Sequence, residues 1–379
     1  MVVAAAAAVV GVGVYLHPPE CVGALLDSHP FLCLAAYCTA ATGLACVLGG
    51  SGSPRRVDPK GKAVFITGCD SGFGQRLALR LDDLGFVVFA GCLATDREGA
   101  QQLKKKGSPR LHVVELNVTD DWQVQRAHNY VTEHLQDAEL WAVVNNAGVG
   151  LVCEIEWCSV DQFQRIMDVN VLGVVRVTKA FLPLLRYSKG RVINVASLAG
   201  RLTLPMYAAY SMSKKSVVAF SDALRQEMAK FGVSVISIEP GLYKTNIAVA
   251  DPYIDSNKRS WSETPTDIKE DYGEEYFNEA LTKIRNSFDR ARDQVDEVIE
   301  QMELAVCSET PRYRYVPYWR SYIRSEILRY LPTAWTDKIF AATSPRVKPQ
   351  FIKRQESQRE FKRQGSLQEF RRQFSFKSQ

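Results

Sequence analysis

The sequence predicts an α/β fold built on a doubly wound parallel sheet, and three observations predict it. Six short runs rich in β-branched residues alternate with amphipathic stretches of about 12 to 25 residues, the pattern of successive βαβ units. A glycine-rich loop follows the first run directly and opens into a helical pattern. The composition, 46% apolar and 23% charged over 379 residues, is that of a globular chain and excludes a fibrous or wholly disordered one.

The strand runs lie between residues 60 and 316. In chain order they read AVFIT, FVVFA, LHVVEL, LWAVVN, GRVINVAS and VSVISIE, with RYRYV at 312–316 as a seventh. Residues 242–291 are polar and poor in strand signals, so we expect a helical flap inserted after the sixth strand. The folded domain is therefore expected to span residues 53–345.

The first 52 residues differ from this domain because they contain no Lys or Arg and carry two apolar runs, Met1–Leu16 and Phe31–Leu48. The second run approaches the roughly 20 residues that span a bilayer, so residues 1–52 are predicted to be a hydrophobic membrane anchor with one or two spans. They lack the basic start of a secretory signal peptide and the arginines of a transit peptide. We therefore expect the endoplasmic reticulum membrane, with a mitochondrial location as the alternative.

Basic residues directly after the second apolar run bear on the topology of this anchor. Positively charged flanks favour the cytosolic side of a membrane, which predicts a cytosolic folded domain. These residues are Arg55, Arg56, Lys60 and Lys62.

The net charge of the chain is concentrated in its last 34 residues. The whole chain carries +5, whereas residues 346–379 hold ten basic and three acidic residues, so residues 1–345 are close to neutral. A near-neutral body excludes a basic nucleic-acid-binding domain.

The same tail repeats a nine-residue pattern that begins at Lys353, Lys362 and Arg371. Its composition predicts a basic, disordered segment. An arginine stands three residues before each of three serines, and basophilic kinases favour arginine at that position. The pattern predicts phosphorylation at Ser357, Ser366 and Ser375.

The glycine-rich loop, TGCDSGFG at 67–74, predicts a nucleotide-binding site. Gly68, Gly72 and Gly74 remove Cβ atoms where the backbone must turn tightly and approach a pyrophosphate at a helix N-terminus. A doubly wound sheet that opens in this way is Rossmann-like.

Further motifs make the chain resemble the short-chain dehydrogenase/reductase family. The loop spacing is GxxxGxG, NNAG occupies 145–148, and PGLYKT at 240–245 is similar to the segment that closes over the cofactor in that family. The resemblance covers roughly residues 60–316. The catalytic positions of the family are matched, in the motifs DVNVLG, NVASLAG and YSMSK, by Asn170, Ser197, Tyr210 and Lys214.

The resemblance implies oxidation of an alcohol, or the reverse reduction, with a nicotinamide cofactor. Tyr210 is expected to act as the base, with a pKa lowered by the Lys214 ammonium and the nicotinamide cation. Ser197 is expected to bond the substrate oxygen, Asn170 to hold a water-linked proton path, and Lys214 to bond the cofactor ribose. No metal is expected. The implied cofactor-binding residues are Gly68, Asp70, Ser71, Gly72, Phe73, Gly74, Asn117, Asn145, Ala147, Gly148, Tyr210, Lys214, Pro240, Gly241 and Thr245.

The choice between NAD and NADP depends on charge near the end of the second strand. That strand ends AGCL, without the acidic residue usual in NAD enzymes and without an arginine for a 2′-phosphate. Asp70 in the glycine loop and Asp96 further on would both repel a third phosphate. We therefore expect NAD rather than NADP.

Finer similarity narrows the substrate class. TGCDSGFG, FAGCL and LWAVVNNAG resemble the branch that holds 17β-hydroxysteroid dehydrogenase type 2, 11β-hydroxysteroid dehydrogenase type 2, retinol dehydrogenases and D-3-hydroxybutyrate dehydrogenase. A membrane anchor favours a lipophilic steroid or retinoid. D-3-hydroxybutyrate is the alternative, and its carboxylate would need a cation such as Lys244 or Arg201.

Two further readings concern partners. Family members commonly form homodimers, which the resemblance implies here. Alternating aromatic and basic residues over 312–330 predict either a membrane interface or core packing. A catalytically inactive, cofactor-sensing scaffold is the alternative from a different class, and the complete set of catalytic residues argues against it.

Overall fold

A computed structural model describes the backbone of residues 55–375 and the side chains of residues 55–364. Seven parallel strands form one sheet in the order β3-β2-β1-β4-β5-β6-β7. The order reverses between β1 and β4, and a crevice at the carboxyl ends of the strands is expected at that point. The strands are β1 (Lys62–Thr67), β2 (Val87–Cys92), β3 (Leu111–Glu115), β4 (Glu139–Asn145), β5 (Arg191–Val195), β6 (Ser234–Ile238) and β7 (Arg314–Tyr315).

Helices cover both faces of the sheet, as the βαβ pattern predicts. A π-helical turn, Asp168–Leu172, joins the fourth and fifth helices. The helices between the strands are α1 (Gly72–Asp83), α2 (Glu98–Lys106), α3 (Asp121–His134), α4 (Val160–Met167), α5 (Gly173–Ser188) and α6 (Ala208–Met228).

The core follows from the alternation of side chains along β1. Val64 and Ile66 point to one face and join an apolar cluster that includes α1. Ala63 and Phe65 point to the other face, where the Phe65 ring stacks on Phe181 of α5 with centroids 4.3 Å apart. Because both faces of the strand are buried, its sequence is continuously apolar, as in other parallel sheets.

Residues 242–291, the predicted flap, carry three α-helices after β6: α7 (Ala250–Glu263), α8 (Thr266–Tyr272) and α9 (Glu274–Asp289). They pack against the rest of the domain through an apolar cluster that also contains Leu151, Ile166 and Ala209, and in it the rings of Trp261 and Phe277 stack with centroids 4.5 Å apart. A further helix, α10 (Asp296–Cys307), then returns to the sheet and packs with α1. The low strand signal of this segment thus reflects helices that share their apolar core with the rest of the domain.

Two short helices, α11 (Trp319–Tyr330) and α12 (Thr333–Ala341), follow β7. A network of ion pairs attaches α11 to the sheet, because Arg201 contacts both the fully buried Glu239 at the end of β6 and Glu326 of α11. The Arg201 guanidinium also lies 5.6 Å from the centroid of the Tyr322 ring of the same helix.

The prediction of a disordered tail is wrong for most of its length. Residues Gln350–Ser375 form a helix, α13, and Lys353 pairs with Glu275 of α9 at 2.7 Å. The repeat consists largely of Gln, Glu, Lys and Arg, which are good helix formers, so the absence of an apolar face does not prevent a helix. Ser357 is exposed on α13; the side chains of Ser366 and Ser375 lie outside the described residues.

The predicted membrane anchor, residues 1–52, lies outside the described residues. Among residues 55–375, no helix has the length and apolar character needed to cross a bilayer.

Candidate active site

The glycine-rich loop is fixed to the end of β4 by hydrogen bonds. The Asn146 side-chain amide donates to the backbone oxygens of Thr67 and Gly68 at 3.0 and 2.9 Å. In return, the Thr67 hydroxyl accepts from the backbone NH groups of Asn146 and Ala147 at 3.1 and 3.0 Å. The loop and the NNAG motif therefore form one rigid unit at the switch point of the sheet.

Gly68 is required at this position for two reasons. Its φ of +70° lies in the left-handed region, which disfavours residues with a side chain. In addition, a Cβ on Gly68 would lie 2.7 Å from the Cα of Ala147. A larger residue would therefore force the loop away from β4.

The loop opens onto a cleft of about 240 Å³, the loop-side cleft. Most predicted cofactor residues line it, and Asn117 lines an adjoining cavity of about 470 Å³ together with Asp70 and Leu93. Gly74 lies behind the loop, against the Gly68 carbonyl. The predicted residues that line the cleft are Gly68, Asp70, Ser71, Gly72, Phe73, Ala147, Gly148, Tyr210, Lys214, Pro240, Gly241 and Thr245.

Asn145 also lies outside the lining of the cleft, so the structure does not bring this predicted cofactor residue to the site. It is the last residue of β4, buried below the cleft, and its amide donates to Thr178 at 2.9 Å and to Asn194 at 2.8 Å. The neighbouring Asn146 lines the cleft instead. Because successive strand residues face opposite ways, the twin asparagines of the motif could not be distinguished from sequence without the register.

Asp70 lies where β2 ends, although it belongs to the glycine loop. Each of its carboxylate oxygens accepts from the backbone NH of Leu93 at 3.0 Å. One of them also accepts from Ala94 at 3.4 Å. The acidic group that the β2 sequence lacks is therefore supplied by the neighbouring loop.

Three predicted catalytic residues lie around the same cleft. Ser197 follows β5 and donates to the Pro240 carbonyl at 3.3 Å, while Tyr210 and Lys214 stand one turn apart on α6. The Lys214 Nζ lies 5.8 Å from the centroid of the Tyr210 ring and donates to the Val195 carbonyl at 2.9 Å.

Burial governs the protonation of this group. It raises the pKa of Tyr210 to about 12, with the Ser197 hydroxyl lowering it and Tyr207 raising it further. Burial also lowers the pKa of Lys214 to about 8. The expected lowering of the Tyr210 pKa is thus not a property of the protein groups alone, because desolvation outweighs the lowering by the Ser197 hydroxyl.

Asn170 lies in the π-helical turn and is almost fully buried. Its side-chain oxygen accepts from the Val149 NH at 2.8 Å, and its amide donates to the Val149 carbonyl at 2.9 Å. The amide also contacts the Ser213 hydroxyl at 3.0 Å. These bonds join the start of α5, the loop after β4 and α6 beneath Tyr210.

A second cavity, of about 370 Å³, adjoins the loop-side cleft and has a mostly apolar lining, and it is called the apolar cavity below. Leu204 contributes to it from the loop before α6, Tyr253 from α7 and Phe288 from α9, and Leu328 of α11 also lines it. Neither cation considered for a short hydroxy acid lines it: Lys244 pairs with Asp293 at 2.7 Å, and Arg201 belongs to the network that attaches α11.

With this geometry in hand, comparison with known proteins assigns the family. The sequence model described as short chain dehydrogenase matches residues 62–252. The chain is 40% identical over 292 residues to the mitochondrial D-beta-hydroxybutyrate dehydrogenase of Rattus norvegicus, covering 74% of this chain and 84% of the relative. It is 42% identical to 17-beta-hydroxysteroid dehydrogenase type 6 of the same species, covering 76% and 90% respectively. It is 40% identical to rat retinol dehydrogenase 16, covering 75% and 89%.

Solved structures agree on the fold. A short chain dehydrogenase/reductase from Burkholderia phymatum in complex with NAD superposes with a TM-score of 0.59 at 21% identity, covering 77% of this chain and 98% of that one. A short chain dehydrogenase from Burkholderia cenocepacia in complex with NADP gives 0.56 at 23% identity, covering 74% and 98%. The chain belongs to the short-chain dehydrogenase family, and thereby to the nicotinamide-dependent oxidoreductases that act on CH–OH groups.

Proposed function

We propose that this protein is an NAD-dependent oxidoreductase that interconverts an alcohol and a carbonyl on a lipophilic substrate such as a steroid or a retinoid. The observation that carries the proposal is that Ser197, Tyr210 and Gly241 line both the loop-side cleft and the apolar cavity. A cofactor in one and an alcohol in the other would meet at the two hydroxyl-bearing side chains. The similarity to hydroxysteroid and retinol dehydrogenases supports this substrate class.

In this proposal the bound cofactor supplies the acceptor for a hydride. Tyr210 takes the proton of the substrate hydroxyl, and Ser197 turns its own hydroxyl from the Pro240 carbonyl to the substrate oxygen, where it stabilises developing negative charge. Lys214, one turn from Tyr210, favours the phenolate when it is protonated. Asn170 fixes the loop after β4 against α6 and so maintains the position of this group.

A D-3-hydroxybutyrate dehydrogenase is the second candidate. The identity of 40% to the rat enzyme of that name favours it. Two observations favour the lipophilic substrate instead. The apolar cavity has a mostly apolar lining, and Lys244 and Arg201 are both engaged in ion pairs.

Exposed aromatic side chains on α11 and α12 support a membrane location for this activity. Trp319, Tyr330 and Trp335 of α11 and α12 are 61%, 76% and 62% exposed. Aromatic side chains of this kind, mixed with arginines, bind well at the boundary between water and lipid. We propose that the catalytic domain lies on the cytosolic face of the endoplasmic reticulum, with mitochondria as the alternative.

Replacing Tyr210 by Phe removes the proton acceptor and preserves the ring. We expect turnover of a lipophilic alcohol to fall by at least about 100-fold, because general-base catalysis contributes on that order, while the Kd for NAD stays unchanged. Steady-state kinetics and fluorescence titration with NADH measure the two quantities. The control variant Tyr207→Phe, which keeps Tyr210, should retain measurable kcat. Full activity in Tyr210→Phe would refute the assignment.

Replacing Lys214 by Met should raise the melting temperature at pH 7 and abolish activity. The pKa of Lys214 in the folded protein, about 8, is below the ordinary lysine value of 10.5, so the folded protein binds fewer protons between these two pH values, and its stability rises with pH there. Below pH 8 the full desolvation cost, on the order of 3 kcal/mol, is present.

The stability gained in Lys214→Met is therefore largest below pH 8 and shrinks as the pH approaches 10.5. Thermal unfolding at a series of pH values tests this, with the exposed neighbour Lys215→Met as the control, for which we expect little change. A melting temperature for Lys214→Met below that of the parent protein at pH 7 would contradict it.

Cofactor choice can be tested at Asp70. The carboxylate held at the end of β2 should repel a 2′-phosphate, so kcat/KM should be higher with NAD than with NADP at equal ionic strength. Asp70→Asn should narrow this ratio by improving the reaction with NADP, whereas Asp96→Asn, on the exposed loop beyond β2, should change it less. A preference of the parent protein for NADP would overturn the proposal.

Membrane contact can be measured without the N-terminal segment, because the described residues from Arg56 onward form one compact unit. A chain lacking residues 1–52 should co-sediment with anionic liposomes. The combined substitutions Trp319→Ser, Tyr330→Ser and Trp335→Ser should abolish the co-sedimentation. The substitutions Trp122→Ser and Tyr187→Ser, at two other exposed aromatic residues, serve as the control and should leave the co-sedimentation intact. Failure of the truncated chain to co-sediment would show that these aromatic residues do not bind lipid.

A further inference from the structure

We infer that Arg324 makes the enzyme selective for lipophilic alcohols that carry an acidic group at the end remote from the reacting hydroxyl. This inference rests on the proposed function and specifies its substrate class. It starts from an arginine in the wall of a cavity whose lining is otherwise uncharged.

Arg324 lies on the face of α11 that is directed toward the apolar cavity. Of this helix, Ser321, Arg324, Ser325 and Leu328 line the cavity, at the spacing i, i+3, i+4 and i+7 of a single helical face. Arg324 is also exposed to solvent, so it lies where the cavity opens to the outside. Ser197 and Tyr210 line the same cavity next to the loop-side cleft.

The electrostatic surroundings of Arg324 differ from those of the other arginines nearby. Arg201 and Arg329 both pair with Glu326, and Arg314 pairs with Glu239. Within the part of the chain that the structure describes, Arg324 takes part in no ion pair. Among the described residues that line the cavity, it is the one with a formal charge.

The position of Arg324 is held by the network around Arg201. Glu326, two residues away on α11, pairs with Arg201, which in turn pairs with the buried Glu239 at the end of β6. The Arg201 guanidinium lies against the Tyr322 ring as well, with 5.6 Å to its centroid. These contacts fix the rotation of α11 and keep its 321–328 face directed into the cavity.

A guanidinium in this setting recognises a carboxylate. It offers several donors in a plane that matches the two carboxylate oxygens, and no acidic side chain lines the cavity among the described residues to compete for it. A volume of about 370 Å³ is larger than a four-carbon acid needs, and apolar walls suit a longer hydrocarbon body. The substrate class that fits is therefore a hydroxy acid with a secondary alcohol at one end, an apolar body and a carboxylate at the other.

The test uses the full-length protein with NAD and a homologous series of fatty acids that bear a secondary hydroxyl next to the methyl end, together with their methyl esters. We expect the parent protein to prefer the acids over their methyl esters when the fatty acid chain is long enough to span the cavity, and at greater chain lengths. Arg324→Gln should raise KM for those acids and lower kcat/KM about tenfold, the effect of losing one hydrogen-bonded charge, while kcat and the kinetics of the esters stay unchanged.

Two variants separate recognition from a structural effect. Arg324→Lys keeps the charge and should recover part of the preference for the acid. Arg320→Gln removes an arginine of the same helix that lies 5.4 Å from the Trp319 ring centroid and outside the cavity lining, and it should leave the ratio of acid to ester unchanged.

An equal loss on acids and esters in Arg324→Gln, or no loss on either, would overturn the role of Arg324. Oxidation of neutral alcohols by the parent protein without preference for the acids would also overturn it and would leave the proposed function standing. A parent protein that reduces NAD with neither acids, esters nor neutral alcohols would overturn the proposed function itself.

Discussion

The Asn146 amide is the contact on which the rest of the site depends. It bridges the carbonyls of Thr67 and Gly68 and so holds the glycine loop at the end of β1 against the end of β4, where the strand order reverses. The α1 helix starts within this loop, at Gly72, and the cleft lies between the loop and the segment after β6. A left-handed glycine at 68 and a hydroxyl at 67 are both consequences of this one close approach.

The second constraint is desolvation at the junction of the two cavities. Tyr210 and Lys214 are on a helix packed under the cleft, and burial moves their pKa values in opposite directions, each toward the neutral form. Without a charged ligand in the site, burial favours the neutral phenol of Tyr210 and the neutral amine of Lys214. The protein groups alone therefore do not produce a phenolate. This also makes the reaction depend on cofactor binding before proton transfer.

Much of this arrangement follows from the sequence. The six main strands and the loop were predictable because short β-branched runs and glycine spacing are local properties. The grouping of Ser197, Tyr210 and Lys214 was predictable from the resemblance to the short-chain dehydrogenase/reductase family. Three features were not. The distinction between Asn145 and Asn146 needs the register of β4, the position of Asp70 at the end of β2 needs the path of the loop, and the place of Arg324 in the cavity needs the packing of α11. The helix at 350–375 was missed because its composition favours disorder and helix alike.

The central claim, that the junction between the two cavities oxidises lipophilic alcohols, is tested most directly by measuring NADH formation in membranes that carry the full-length protein. The substrates are estradiol, a corticosteroid, retinol and D-3-hydroxybutyrate, each offered with NAD. The account predicts NADH formation with at least one lipophilic alcohol and a lower kcat/KM with hydroxybutyrate. Hydroxybutyrate as the best substrate, or binding of NAD without reduction by any of the alcohols, would contradict it.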